Sequence, residues 1–165
     1  MARDITRRLN ALGQAHELVR PSLSNQKKAL NLSELLSALL AAYDDRGMIG
    51  DRIRVDVPEV LVGEASITTM ALVIHELATN SIKYGSLSSA NGTVNISCSV
   101  EGGDAIIVWK EKGGPPLTVP RGQVGFGSKL VHTSVTSQLG GFITFEWPAE
   151  GAIITLRVNT ALLGT

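Results

Sequence analysis

The sequence has little of three features that would point to particular classes of protein: cysteine, excess charge of one sign and long apolar runs. A single cysteine, Cys98, excludes a disulfide within the chain and a zinc site of the C-x-x-C type. It lies in the apolar alternation "VNISCSV", which favours a structural thiol in a reducing, cytoplasmic compartment. The formal net charge of zero gives no basic field for nucleic acid. No apolar run approaches the roughly 18 residues of a membrane-spanning helix, and the N-terminus lacks an apolar signal core.

The patterns that are present are typical of a globular α+β domain. Apolar residues make up 44% of the 165 positions, enough for one domain with a real core. Helical spacing predicts helices over 4–19, 31–43, 65–84 and 128–139. Alternation predicts strands over 51–60, 92–102, 105–112, 142–147 and 152–158, and a short one at 61–62. Because consecutive strands are joined by tight turns, we expect a two-layer sandwich of a mixed, mostly antiparallel sheet with helices on one face.

The first segment that carries chemistry is "HELATNSIKYG", which starts at residue 75 and continues an apolar helix. Positions four and seven apart share a stripe on a helix, so Glu76, Asn80 and Lys83 line up. Ile74, Leu77 and Ala78 belong to the buried side. A carboxylate, an amide and an ammonium on one face indicate a stripe turned toward a ligand. An ordinary amphipathic helix with a solvated polar face would explain the same pattern.

The second segment is "WKEKGGPP", in which a predicted strand ends at Glu111 and gives way to glycines. A carboxylate in that place can accept a hydrogen bond from an exocyclic amine, while glycine lets the backbone pass close to a flat ring. A surface acid before a turn is an equally good explanation of this segment.

The third segment is "GFGSKL", residues 125–130, between a loop rich in glycine and proline and a predicted helix start. Glycines let backbone N–H groups approach phosphate oxygens, and a helix N-terminus adds about half a positive charge. Ser128 and Lys129 can add donors. Loop flexibility alone would also explain the glycines, and the pattern is neither a P-loop nor a dinucleotide-binding fingerprint.

In this order the three segments resemble the N, G1 and G2 boxes of the histidine-kinase-type ATPase superfamily, which has the Bergerat fold. Two details, His75 directly before Glu76 and Trp109-Lys110-Glu111 in place of D-x-G, resemble the HWE family of bacterial sensor histidine kinases. The resemblance covers about residues 30–160. It implies a catalytic ATP-binding domain over 25–165, preceded over 1–24 by the second helix of a dimerisation and phosphotransfer hairpin.

The resemblance also implies roles for individual residues, with ATP and Mg²⁺ as the ligands. Asn80 would bind Mg²⁺ together with the ATP phosphates, and Glu76 would orient or deprotonate the accepting imidazole. Glu111 would stand where the superfamily has its adenine-reading aspartate. His75 and Trp109 are family markers whose role the sequence does not give. The other ATP-binding positions it implies are Lys83, Tyr84, Gly113, Gly125, Gly127, Ser128, Lys129, Leu130 and Thr155.

One expected part of the family pattern, an "H-R-x-x-N" segment with the accepting histidine, does not occur in the sequence. His16 does not match the acceptor position, and we expect His132 to be a packing or surface residue. The chain is therefore expected to be a catalytic fragment, or a short protein that acts in trans. The implied partners are the hairpin's acceptor histidine, a response-regulator receiver domain and, in a longer parent, a second copy. A serine kinase of the anti-sigma type and a docking module without ATP are the alternatives.

Overall fold

The structure of the chain, a computed structural model, describes residues 29–43, 51–115 and 126–165. The helix predicted over 4–19, His16 and the domain boundary predicted at residue 24 lie outside the described residues, as does most of the loop rich in glycine and proline. Within the described ranges the chain forms seven strands, four helices and one 3₁₀ turn. These are β1 (Ala29–Asn31), α1 (Leu32–Ala41), β2 (Ile53–Asp56), β3 (Leu61–Gly63), α2 (Glu64–Lys83), the 3₁₀ turn (Ser86–Ser88), β4 (Thr93–Glu101), β5 (Asp104–Lys112), α3 (Phe126–Leu139), β6 (Phe142–Glu146), β7 (Ile153–Asn159) and α4 (Thr160–Leu163).

Five of the strands form one mixed sheet in the order β2-β4-β5-β7-β6, and β1 pairs with β3 separately. Only the β2–β4 pair is parallel among the described strands of this sheet, and the other three pairs are antiparallel. The β4–β5 hairpin turns through Gly102 and Gly103, whose φ angles of 58° and 84° suit a tight turn that matches the twist of the strands. The predicted mixed, mostly antiparallel sheet is confirmed.

One face of the sheet and the helices share a single apolar core. Along β5, Ala105, Ile107, Trp109 and Glu111 are buried while the residues between them are more exposed. Because successive side chains of a strand point to opposite faces, these four face the helices. The α+β sandwich with its helices on one face, as predicted, is confirmed.

Helix α2 is the central helix, and both of its ends are tied to other parts of the chain. At its start the Ala65 N–H donates to the Thr165 carbonyl, 3.2 Å away, and the Ser66 hydroxyl donates to the Leu162 carbonyl. At its end the Gly85 N–H donates to the carbonyls of Asn80 and Ser81, at 3.1 and 3.0 Å. The helix differs by one residue at each end from the predicted 65–84.

Candidate functional site

The polar stripe of α2 lies on its less buried side. Glu76 and Asn80 are half-buried, Lys83 is exposed, and Tyr84 just after the helix is 49% exposed. Three apolar residues on the other side of the helix are buried in the core: Ile74, Leu77 and Ala78. The structure therefore brings the four predicted residues to one accessible side of the helix end, as the spacing indicates.

Glu111 lies under the end of this helix and is only 4% exposed. The Ser81 hydroxyl donates to its Oε1 at 3.0 Å, and the Ser86 backbone N–H donates to the same oxygen at 2.8 Å. The Trp109 indole N–H donates to its Oε2 at 3.0 Å. Since Ser81 directly follows Asn80, the side chain of Glu111 joins the "HELATNSIKYG" segment to the "WKEKGGPP" segment.

The two family markers are buried residues with side-chain partners in the chain. Trp109 is 2% exposed and places its ring in the core while its N–H reaches Glu111. His75 is 3% exposed, and the hydroxyl of Tyr43, at the end of α1, hydrogen-bonds its Nδ1. This bond joins the residues just after α1 to α2, and Glu76, the next residue along α2, is half-buried. The sequence left the roles of His75 and Trp109 undecided, and the structure gives both a packing role.

Three glycines, Gly85, Gly92 and Gly114, leave no room for a side chain next to Ser86 and Glu111. A Cβ built on Gly85 would lie 2.1 Å from the Glu111 Oε1, and one on Gly92 would lie 1.7 Å from the Ser86 carbonyl oxygen. A Cβ on Gly114 would lie 2.8 Å from the Ser86 Cα. Gly113 has a φ of 78°, a conformation that L side chains rarely adopt. The glycines after Glu111 thus allow their strand end to lie directly against the turn that follows α2.

Sequence reasoning missed Arg52, whose guanidinium hydrogen-bonds three carbonyls of this turn. Its Nε donates to the Gly92 carbonyl at 2.8 Å, and its Nη2 donates to the carbonyls of Ser86, at 3.3 Å, and Ser89. No local signal marks it, because an arginine just before a strand is a common surface residue. Only the tertiary structure brings it to the residues after α2.

Thr155, predicted to help in an adenine contact, lies on the opposite face of the sheet from Glu111. In the β5–β7 register the core-facing Trp109 pairs with Ile154, whereas Thr155 pairs with Val108. Ile154 is buried and Thr155 is half-buried, in keeping with the alternation of the strand. The structure therefore does not bring Thr155 together with the other predicted residues.

The third predicted segment is described only in part. Gly125 lies outside the described residues, and Gly127 and Ser128 are described by their backbone, which is already helical in the first turn of α3. Lys129 is exposed and Leu130 is half-buried. His132, exposed on α3, has its ring centroid 5.7 Å from that of Phe145, in agreement with a packing or surface residue.

Two further observations concern the chain outside this site. Cys98 is a free cysteine, and burial raises the pKa of its thiol while a backbone hydrogen bond from Ile106 acts in the opposite direction. The helices of the described ranges include none that combines the length and apolar character needed to cross a membrane.

Comparison with protein-family profiles gives no match. Among curated proteins, the chain is 35% identical over 159 residues to blue-light-activated histidine kinase 1 of Erythrobacter litoralis strain HTCC2594, covering 94% of this chain and 43% of the relative. It is 33% identical over 151 residues to a blue-light-activated histidine kinase of Brucella anthropi, covering 89% of this chain and 30% of the relative. The chain thus spans less than half the length of these relatives.

Among solved structures, the histidine kinase domain of the Erythrobacter litoralis EL346 blue-light-activated histidine kinase superposes with a TM-score of 0.71 at 19% identity, covering 97% of this chain and 78% of that one. The catalytic domain of the histidine kinase ThkA has a TM-score of 0.61 at 18% identity, covering 80% of this chain and 95% of that one. ThkA in complex with the response regulator protein TrrA has a TM-score of 0.64 at 17% identity, covering 96% of this chain and 50% of that one.

Proposed function

We propose that this chain, whose sequence and fold are those of a histidine kinase catalytic domain, binds ATP and transfers the γ-phosphoryl group to a histidine outside this chain. The histidine kinases among the relatives confirm the family resemblance, and the roles of the individual box residues stay predictions. The observation that best supports the proposed site is the hydrogen bond from Ser81 to Glu111, because it places the end of the N-box helix against the G1 strand. The named relatives favour this function over a serine kinase of the anti-sigma type.

The residues of the stripe fit a magnesium ion that arrives with the nucleotide. Mg²⁺ in phosphoryl-transfer sites takes one or two protein ligands and fills its other positions with phosphate oxygens and water. In the described ranges no group of three or more His, Cys, Asp or Glu residues could hold a resident metal. Asn80 offers an amide oxygen one turn after Glu76, which is a donor set of the right size. The bound ion would neutralise charge on the phosphates, and Asn80 would fix its place relative to α2.

Glu76 and Lys83 would serve the transfer itself. The transition state of phosphoryl transfer needs positioning and charge neutralisation more than covalent help from the protein. Lys83, exposed one turn beyond Asn80, can reach toward phosphate, and Tyr84 can flank the nucleotide. Glu76 can orient or deprotonate an imidazole brought to within about 3 Å. Glycines and N–H groups at the start of α3, with Ser128, Lys129 and Leu130 beside them, would complete the phosphate contacts.

The proposed partners follow from the reaction. They are the acceptor histidine of a phosphotransfer hairpin and a response-regulator receiver domain, the latter supported by the ThkA complex with TrrA. Dimerisation of a longer parent and a cytoplasmic location are proposed on the same basis.

The test is transfer in trans. The chain is incubated with Mg-ATP, with and without a separate hairpin protein that carries an acceptor histidine, and the phosphoprotein is checked for acid lability. We expect the hairpin protein to be labelled and the chain itself to remain unlabelled. Glu76→Gln should reduce labelling at least tenfold, as expected for a lost general base, with little change in ATP affinity. Glu59→Gln, an exposed acid elsewhere, is the matched control.

Two results would contradict the proposal. The absence of both calorimetric heat and thermal shift at millimolar Mg-ATP would refute nucleotide binding. Acid-labile labelling of the chain without the hairpin, lost in His16→Ala, would refute an acceptor outside the chain.

A further inference from the structure

The acceptor sites of Glu111 are largely occupied by donors of the same chain. A carboxyl group offers about four lone-pair sites. Ser81 and Ser86 fill two sites on Oε1, and Trp109 fills one on Oε2. The fourth site, on Oε2, belongs to a residue that is only 4% exposed, so Glu111 presents little acceptor surface to a bound base.

The groups that Glu111 holds belong to the backbone around the proposed nucleotide site. Ser81 follows Asn80 in α2. Ser86 lies in the turn after that helix, residues 85–92, called here the Ser86 turn. Arg52 binds three carbonyls of the same turn, including that of Ser86. The Ser86 turn is therefore held through an N–H group by Glu111 and through carbonyl groups by Arg52.

We infer that Glu111 is a positioning residue, which together with Arg52 fixes the Ser86 turn against the end of α2 instead of hydrogen-bonding the nucleobase. The inference rests on the proposed nucleotide site and changes the role of one of its residues. Trp109 acts through Glu111, because its N–H holds the carboxyl in the rotamer that reaches Ser86. Arg52 is a second positioning residue of the same site. Loss of either contact lets the turn and the Asn80 end of the helix move together.

The hydrogen-bond polarity of Glu111 gives a sharp test. In Glu111→Gln the new NH₂ group must face a donor: the Trp109 indole on one side, or Ser81 and Ser86 on the other. Trp109→Phe removes the indole donor, so the double variant lets the amide place its oxygen toward Ser86 without a clash of donors. We expect Glu111→Gln to lower Tm by roughly 3 °C or more. The fall in Tm of the double variant should be smaller than the sum of the falls in the two single variants.

The functional measurement compares the affinity for Mg-ATP with that for Mg-ITP, in which a carbonyl replaces the exocyclic amine. It is made at a temperature well below the Tm of the wild type and of every variant. If Glu111 is a positioning residue, Glu111→Gln lowers the affinity for both nucleotides by the same factor, on the order of tenfold. The ATP-to-ITP ratio stays that of the wild type, and Trp109→Phe added to Glu111→Gln recovers part of the affinity. For a residue that binds the base, the ratio collapses in Glu111→Gln and the second substitution recovers nothing, which would overturn the inference.

Arg52 supplies an independent arm should Glu111→Gln fold poorly. Arg52→Lys keeps the charge but loses the planar fork that reaches three carbonyls. It should lower the affinities for ATP and ITP by the same factor, whereas Arg54→Lys, at an exposed site on β2, should leave both affinities unchanged. Unchanged affinities in Arg52→Lys would count against the inference. If the wild type binds no nucleotide, the proposed function fails. The Tm values of the single and double variants at Trp109 and Glu111 still decide whether the hydrogen bond between these two side chains exists.

Discussion

Replacing Gly85 with alanine tests the close packing around Glu111 most directly. The new Cβ would lie 2.1 Å from the Glu111 Oε1 and 3.0 Å from the Ser81 Cα. Gly85 has a φ of −104°, so backbone strain of the left-handed kind does not enter. Only the lack of space opposes the substitution, and the atom in the way is a carboxyl oxygen held by hydrogen bonds.

The cost follows from what the carboxyl must give up. To clear the methyl group, Oε1 has to leave Ser81 and the Ser86 N–H, and a net hydrogen bond contributes about 1 kcal/mol. A buried N–H left without an acceptor costs about 1–3 kcal/mol by itself. We expect a loss of about 3 kcal/mol in the free energy of unfolding. At about 2–4 °C per kcal/mol for a chain of this size, Tm should fall by about 6–12 °C.

The assay is thermal and urea unfolding followed by circular dichroism, with Gly102→Ala as the control. Gly102 has a φ of +58° and open space around its Cβ position, so that variant reports backbone strain alone, about 1 kcal/mol. Adding Glu111→Asp to Gly85→Ala shortens the carboxyl side chain and should recover part of the loss. A Tm within about 2 °C of the wild type for Gly85→Ala, or a larger loss for Gly102→Ala, would refute the reasoning.

Two further predictions concern the ion and the thiol. Asn80→Ala should abolish the Mg²⁺ dependence of ATP binding, measured by titration with and without chelator, whereas Asn95→Ala, exposed on β4, should leave it unchanged. Burial raises the pKa of Cys98, so the neutral thiol is favoured in the folded state. Its contribution to stability is complete below the unfolded pKa of about 8.5 and is lost as pH rises through the folded value. Cys98→Ala should therefore flatten the alkaline side of the Tm–pH profile, and an unchanged profile would contradict this.

The elements that the sequence predicted well are those with long, regular periods. Helix α2 and strand β5 each carry many buried positions at one spacing, and β4 alternates over its first four residues, so local pattern and tertiary structure agree. Strand β1, the 3₁₀ turn and α4 were not predicted, because three or four residues hold too little periodicity to be read.

The candidate site was predictable in its segments and not in its contacts. Two of the three partners of Glu111, Ser81 and Ser86, are 30 and 25 residues away along the chain, and Arg52 is 34 residues from Ser86. No local spacing carries such information. Thr155 was included because of the family resemblance, and the pairing of Trp109 with Ile154 places Thr155 on the face of the sheet away from Glu111. A shift of one residue exchanges the two faces of a strand.

The distribution of the Glu111 contacts along the chain also bears on the order of folding. The β4–β5 hairpin joins neighbours in sequence and can form on a microsecond timescale, whereas Arg52, Ser81, Ser86 and Glu111 meet only after long loops have closed. Recovery of nucleotide binding during refolding should accordingly lag behind recovery of strand signal. Nucleotide affinity thus reports completion of the tertiary fold, and secondary structure measured alone would overstate the fraction of competent molecules.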